Sequence, residues 1–174
     1  VRFDGSCHDW FEDDSEARLL AAIDDATSKV EALFEDNEGV HAVFRFWWRY
    51  VERYGLPVAI YLDKFSTYKV NHKSAVDNAE LMTQFERAMQ ELDIRVICAN
   101  SPEAKGRIER LFGTLQDRLV KELWLADMKD RERANQFLAE VYLPGHNARF
   151  SVTARTGGDA HRPLAQELRR RRRL

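Results

Sequence analysis

The segment from Val40 to Asp63 constrains the fold most, because it predicts a helix that leads directly into a buried strand. Apolar side chains recur there at three- and four-residue steps up to Val51, the spacing of one helix face. Gly55 and Pro57 close this helix, and the apolar run that follows ends at Asp63. A strand that follows a helix in this way is typical of a sheet with parallel strands and helical crossovers.

Three strands are predicted before this helix. The first, VRFDGSC, carries Asp4, and the runs ARLLAAIDD and SKVEALFED form a hairpin through the turn-rich stretch from Asp24 to Ser28. After Asp63 we expect a loop, a helix ending near Leu92, the strand IRVICA and a helix that begins near Ser101. A last helix is predicted to end at Leu143, because Pro144 and Gly145 follow, and the next residues, HNARFSVTARTGGDAHRPL, are expected to be extended.

This element order gives an α/β protein. Three strands, helix, strand, helix, strand, helix, helix is the order of the ribonuclease H-like fold, a five-stranded mixed sheet flanked by helices. A length of 174 residues suits one domain, which we place at residues 1–164, with a basic linker or tail at 165–174. We expect the chain to be a piece of a longer protein.

Composition indicates a cytoplasmic protein. Two cysteines make a disulfide scaffold unexpected, and the sequence predicts no membrane-spanning segment or signal peptide. The net charge of −2 conceals an uneven distribution, because residues 9–16 are acidic whereas residues 105–121 and 169–173 are basic. A polyanionic partner is therefore compatible with the sequence.

Three acidic residues are predicted to converge. A right-handed crossover can place the strands that carry Asp4 and Asp63 side by side, and Glu109 lies early on the helix after the fifth strand. Carboxylates are suitable ligands for hard divalent cations, and a metal pair can assist phosphodiester displacement. Asp4 is the candidate to bridge two ions, with Asp63 and Glu109 each completing one.

Composition and spacing alone leave alternatives to this site. The chain holds 29 acidic residues, so an acid at a strand end is expected without any function. Asp24 and Asp25 compete as ligands, although their place between two strands favours a role in the turn.

Four segments carry a family resemblance: RFDGSCHDWF, AAIDDATSKV, YGLPVAIYLDK and ANSPEAKGRIERLFGTLQDRLVKEL. Together they resemble the catalytic core of bacterial insertion-sequence transposases of the DDE, retroviral-integrase-like family, and most closely the ISNCY-type group. The resemblance runs from about Arg2 to about Leu164. It implies that Asp4, Asp63 and Glu109 are the catalytic and metal-binding residues, with two Mg²⁺ or Mn²⁺ ions as cofactor and no organic cofactor.

The resemblance also implies the reaction and the partners. Hydrolysis of one strand at each transposon end would free a 3′-hydroxyl, which would attack a phosphodiester of the target DNA. The expected partners are transposon ends, target DNA and further copies of the chain in a homo-oligomer, with no membrane. The expected location is the bacterial cytoplasm, at the nucleoid when the protein acts.

Several basic and polar residues are candidates to contact DNA. Lys105, Arg107 and Gln116 belong to the helix of Glu109, and the loop after Asp63 is basic, with Lys64 and Lys73 as its candidates. A merely solvated basic loop is the alternative. The same helix carries Gly106 and Gly113 on the face of Glu109, which indicates either close approach of a nucleic-acid backbone or close packing on a neighbouring element.

Two other functions fit the sequence less well. A ribonuclease H-like nuclease would hydrolyse nucleic acid without strand transfer, and the pattern around Glu109 favours a transposase over it. A non-catalytic DNA-binding or assembly module, derived from a transposase, is the other alternative. Loss of any of the three acids would have favoured that module, and all three are present.

Overall fold

The computed structural model describes residues 1–13, 16–36, 39–63, 84–99 and 102–165, and for residues 40, 63, 99 and 102–105 the backbone alone. Lys64 and Lys73 of the predicted loop lie outside this part of the chain, as does the predicted tail 165–174 apart from its first residue. The strands are β1 (Arg2–His8), β2 (Ala17–Ile23), β3 (Val30–Glu35), β4 (Ala59–Asp63) and β5 (Arg95–Ala99). The helices are α1 (Val40–Tyr54), α2 (described over 84–91), α3 (Pro102–Leu125), α4 (Arg131–Phe137) and α5 (Leu143–Phe150).

The five strands form one mixed sheet in the order β3-β2-β1-β4-β5. The predicted hairpin is confirmed, because β2 pairs antiparallel with both β1 and β3. The predicted crossovers are confirmed as well, since β4 pairs parallel with β1 and with β5. The order of elements is therefore the predicted one, with β1 at the centre of the sheet.

Each face of the sheet has its own apolar core. Leu20 and Ala22 of β2 pack on the side of α1 and α2, where Trp47 and Phe85 are buried. Leu19 and Ala21 point to the other side and pack against α3, α4 and α5. Successive side chains of a strand point to opposite faces, so β2, buried throughout most of its length, contributes to both cores.

The C-terminal helical region differs from the prediction. Pro144 and Gly145 do not end a helix, because helical backbone continues from Arg131 through a π-helical segment, Leu138–Tyr142, to Phe150. Proline lacks an N–H and its ring clashes with the carbonyl four residues earlier in a regular α-helix. The wider turn directly before Pro144 relieves this conflict, because its hydrogen bonds run to the fifth residue, as from Leu143 N–H to Leu138 C=O.

The segment after Phe150 links the two cores. Residues 146–150, predicted to be extended, are helical, whereas residues 151–165 cross the molecule without a regular element. On this path Val152 N–H donates to Thr27 C=O at 2.7 Å, and Arg162 forms an antiparallel bridge with Leu56. Leu164 is then buried in the core beneath α1.

Two asparagines cover the free edge of the sheet at β3. Asn147 accepts a hydrogen bond from Val30 N–H at 2.8 Å and donates one to Val30 C=O at 2.9 Å. Asn135 makes the same pair of bonds to Phe34, at 2.7 and 2.9 Å. An uncovered edge strand can pair with another chain, so these carboxamides take the place of a neighbouring strand.

Candidate metal and DNA site

The first two candidate ligands occupy neighbouring positions in the sheet. Arg2 pairs with Tyr61 and Phe3 pairs with Leu62 in the parallel β1–β4 ladder. One further step in the same register brings Asp4 opposite Asp63, across the spacing of about 4.8 Å that separates neighbouring strands. The carboxylate of Asp63 is outside the described side chains, so the evidence for this pair is the backbone register.

Asp4 lies in the middle of the central strand rather than near its end. Its side chain is half-buried, and the backbone N–H of Gly5 donates to Asp4 Oδ1 at 2.8 Å. Across the other edge of β1, Asp4 pairs with Ala21 of β2. A strand at the centre of a sheet is held on both sides, so the backbone position of this carboxylate is fixed.

The helix α3 packs along β1, and this orientation brings Glu109 towards Asp4. Arg107 donates to Asp25 C=O at 2.8 Å and to Ser28 Oγ at 2.6 Å, and Arg2 Nε also donates to Asp25, at 2.7 Å. Gln116 Nε2 lies 3.4 Å from Ser6 Oγ, four residues further along β1 than Arg2. The helix therefore runs in the direction of the strand.

The lengths of α3 and β1 between these two sets of contacts agree. Nine helical residues advance about 13.5 Å and four strand residues about 13 Å. On this scale Glu109 lies within about one helical turn of the level of Asp4. It is seven residues before Gln116, so both side chains lie on the same flank of α3, and Glu109 is exposed there.

The donor set suits hard divalent cations, which bind to carboxylate oxygens. Among the described side chains, no three acidic, histidine or cysteine groups lie close enough together to hold a metal ion. That set includes Asp4 and Glu109 but not the carboxylate of Asp63.

The alternative acids have structural partners. One oxygen of Asp24 accepts hydrogen bonds from Thr27 N–H at 2.9 Å and from Thr27 Oγ1 at 2.6 Å, as expected of a turn residue. Asp25 forms salt bridges with Arg2 at 2.7 Å and with Arg107 at 3.5 Å. The contacts of Asp24 support its role in the turn, whereas those of Asp25 join the turn to β1 and α3.

The DNA-contact candidates divide into two groups. Arg107 and Gln116 make the contacts within the fold given above, and any DNA contact by them stays a prediction. The side chain of Lys105 is outside the described part of the chain, as are Lys64 and Lys73 entirely. Sequence reasoning missed the basic side chains Arg118 and Arg149 beside Phe150, because α5 was predicted to be extended.

Comparison with known proteins finds transposases with similar sequences. No family model matches. The chain is 43% identical over 166 residues to the putative transposase y4bF of Sinorhizobium fredii (strain NBRC 101917 / NGR234), an alignment that covers 94% of this chain and 36% of that protein. It is 33% identical over 153 residues to the transposase for insertion sequence IS1202 of Streptococcus pneumoniae, covering 86% of this chain and 32% of the relative.

Solved structures give the fold. The magnesium complex of the HTLV-2 integrase catalytic core domain, in its trimeric form, superposes with a TM-score of 0.57 at 16% identity, covering 78% of this chain and 79% of that one. The catalytic core domain of BIV integrase superposes with a TM-score of 0.55 at 16% identity, covering 99% and 98% of the two chains. The chain is therefore similar in sequence to two transposases and similar in fold to integrase catalytic cores.

This transposase-like core spans about a third of the length of the curated relatives it matches. Its fold is ribonuclease H-like, as the order of elements predicted. In the described part of the core, no helix is both long and apolar enough to cross a membrane.

Proposed function

We propose that this core catalyses DNA strand cleavage at transposon ends and transfer of the freed 3′-hydroxyl into target DNA. The register that brings Asp4 opposite Asp63 is the observation that carries the proposal. Glu109, on the flank of α3 that reaches β1, is the third member of the DDE set. The transposase relatives and the magnesium-bound integrase neighbour support this assignment.

The three carboxylates would hold two Mg²⁺ or Mn²⁺ ions. When bound, such ions stabilise the charge that develops on the attacking and leaving oxygens of a phosphodiester. Asp4, fixed at the centre of the sheet, would contribute to both ions, and Asp63 and Glu109 one each. The partners of the reaction would be transposon-end and target DNA, with several copies of the chain assembled on them.

Amide substitutions test the carboxylates one at a time. We expect Asp4→Asn, Asp63→Asn and Glu109→Gln each to reduce cleavage and strand transfer to background, measured with the full-length transposase that carries this core. An amide keeps the size of the side chain and removes the charge that holds a cation. Urea unfolding of the same variants should remain cooperative, which separates loss of chemistry from loss of fold.

Two matched variants control this experiment. Glu122→Gln changes an exposed acid on the same helix, and Asp24→Asn changes the turn acid; both should retain activity. Full activity in Asp63→Asn would remove that residue from the mechanism. Cleaved DNA without a joined product would indicate a nuclease, and DNA binding without either reaction would indicate an assembly module.

A further inference from the structure

A groove runs along α3 on a different flank from Glu109. Its volume is about 920 Å³, and α3, the turn between β2 and β3, and α5 form its walls. Residues of α3 advance about 100° each, so the positions of α3 that line this groove are centred about a third of a turn from Glu109, with Gly113 nearest to it and Arg118 on the opposite side. The α3–α5 groove is lined by Ile23, Ser28, Arg107, Arg110, Leu111, Gly113, Thr114, Asp117, Arg118, His146 and Phe150.

The charge of the α3–α5 groove is positive and largely uncompensated. Over the residues that the structure describes, no carboxylate forms a salt bridge with Arg110, Arg118 or Arg149. The acid in the groove, Asp117, is held by Lys121 at 2.5 Å, and its pKa is lowered mainly by that lysine and slightly by Arg118. Guanidinium groups stay protonated at all physiological pH values, so the groove presents fixed cations.

Phe150 organises two of these cations. The guanidinium carbons of Arg118 and Arg149 each lie 5.3 Å from the centre of its ring, within the range of cation–π attraction. The ring is 37% exposed and rests against His146, with centroids 4.8 Å apart. A guanidinium held against a ring keeps its N–H groups free at the edge, where they can donate to an anion.

His146 adds no charge to compete with this arrangement. Its ring is buried, and burial together with the nearby Arg118 lowers its pKa below the ordinary histidine value. The imidazole is therefore neutral at pH 7 and serves as packing under Phe150. The arginines that line the groove belong to α3, and Arg149 of α5 lies beside it against the ring of Phe150.

The spacing of the arginines suits a phosphate backbone. Arg110 and Arg118 are eight residues apart on α3, a rise of about 12 Å. A DNA strand carries a phosphate for about every 3.4 Å of helix axis, so with α3 aligned along that axis this rise spans about three to four phosphates. A phosphodiester held at Asp4 and Glu109 would lie on another flank of α3, so it would leave the groove available to a second stretch of DNA.

We propose that the α3–α5 groove binds the phosphate backbone of duplex DNA at a site separate from the candidate catalytic carboxylates. This inference rests on the proposed function for the identity of the polyanion. It assigns Arg110, Arg118 and Arg149 to DNA binding that requires neither the carboxylates nor a metal ion.

Metal-free binding of a fluorescent duplex of arbitrary sequence to the 174-residue chain tests the proposal. In EDTA, Arg110→Ala/Arg118→Ala should weaken binding by roughly tenfold and reduce the slope of log K against log salt concentration by about two. Arg87→Ala removes an exposed arginine from α2, on the opposite face of the sheet, and should leave both quantities unchanged. Thermal unfolding of each variant verifies that the chain is folded.

Two further variants make the result specific. Arg110→Glu touches no cation–π contact and should weaken binding more than Arg110→Ala, whereas Arg118→Lys keeps the charge and should keep most of the salt slope. The binding assay contains EDTA and measures no chemistry, so failure of the groove proposal is separate from failure of the catalytic assignment, which the cleavage assay of Asp4→Asn tests. If the double variant bound the duplex with wild-type affinity, the proposal would be overturned. If the double variant lost affinity for polyglutamate but not for the duplex, the groove would instead bind an acidic protein partner.

Discussion

Gly113 lines the α3–α5 groove on the side nearest to Glu109, and the sequence left two reasons for a glycine there. A Cβ added at Gly113 would meet no described atom within 4 Å, whereas one added at Gly106 would lie 3.4 Å from Arg110 Nη1. Packing against the described part of the chain therefore does not require glycine at position 113. Close approach of DNA is the reason that we propose.

Substitution of this glycine separates stability from function. Gly113→Ala should raise the free energy of unfolding by about 1 kcal/mol, because alanine is the better helix former, and urea unfolding measures this. If DNA approaches here, the same variant should bind duplex DNA more weakly. Gly55→Ala is the contrasting variant and should destabilise, since φ is +91° and its Cβ would lie 2.6 Å from Arg162 C=O. A stabilised Gly113→Ala that binds DNA normally would contradict a role in DNA approach.

At the scale of residues, the sequence predicted which strands carry the candidate ligands better than it predicted which side chains form hydrogen bonds with each other. The crossover correctly placed the strands of Asp4 and Asp63, β1 and β4, side by side, because sheet topology follows from the order of elements. Arg107 forms hydrogen bonds with Asp25 and Ser28, which lie about 80 residues earlier in the chain. No local sequence pattern encodes a contact over that separation. The pairing depends on how α3 docks onto the hairpin.

At the scale of elements, the edge of the sheet depends on side chains from α4 and α5. Asn147 both accepts from and donates to the backbone of the buried Val30, which only a carboxamide can do at this position. The helix that carries Asn147 exists because the π-helical segment admits Pro144. Proline was an unreliable signal here, because its effect depends on the hydrogen bonding of the turn before it.

Asn147→Asp tests this cover. Aspartate can still accept from Val30 N–H, but it cannot donate to Val30 C=O and places a negative charge beside it. We expect a loss of about 1–3 kcal/mol in the free energy of unfolding, measured in urea. Gln90→Glu makes the equivalent change on an exposed face of α2 and should alter stability by less than about 0.5 kcal/mol. Equal stability of Asn147→Asp and wild type would show that the edge bonds contribute nothing.

At the scale of the whole molecule, two cores share one sheet and one linking segment. Residues 151–165 leave the layer of α5, pass the turn at Thr27 and end with Leu164 in the layer of α1. Arg162 holds this path by donating to Leu92 C=O at 2.8 Å and to Asp93 C=O at 2.6 Å. The two cores should therefore unfold together.

Leu164→Ala examines that coupling. The substitution should lower the free energy of unfolding by about 2–3 kcal/mol, because Leu164 is only 6% exposed and its truncation to alanine leaves a cavity. Urea unfolding followed both by tryptophan fluorescence and by circular dichroism should still give a single transition. Val152→Ala removes an exposed apolar group from the same segment and should have little effect. Two separate transitions in the Leu164 variant would refute the coupling.

The π-helical segment also sets the directions in which side chains before and after it point around the helix axis. Asn135 and Asn147 are twelve positions apart, about three and a third turns of regular α-helix, which would point them a third of a turn away from each other. A π turn absorbs about one extra residue, so the remaining eleven complete about three turns and aim both carboxamides at β3. Without the π turn, an unbroken α-helix over the same twelve positions would aim the second carboxamide about a third of a turn away from β3, and only the removal of one residue would bring it back into phase.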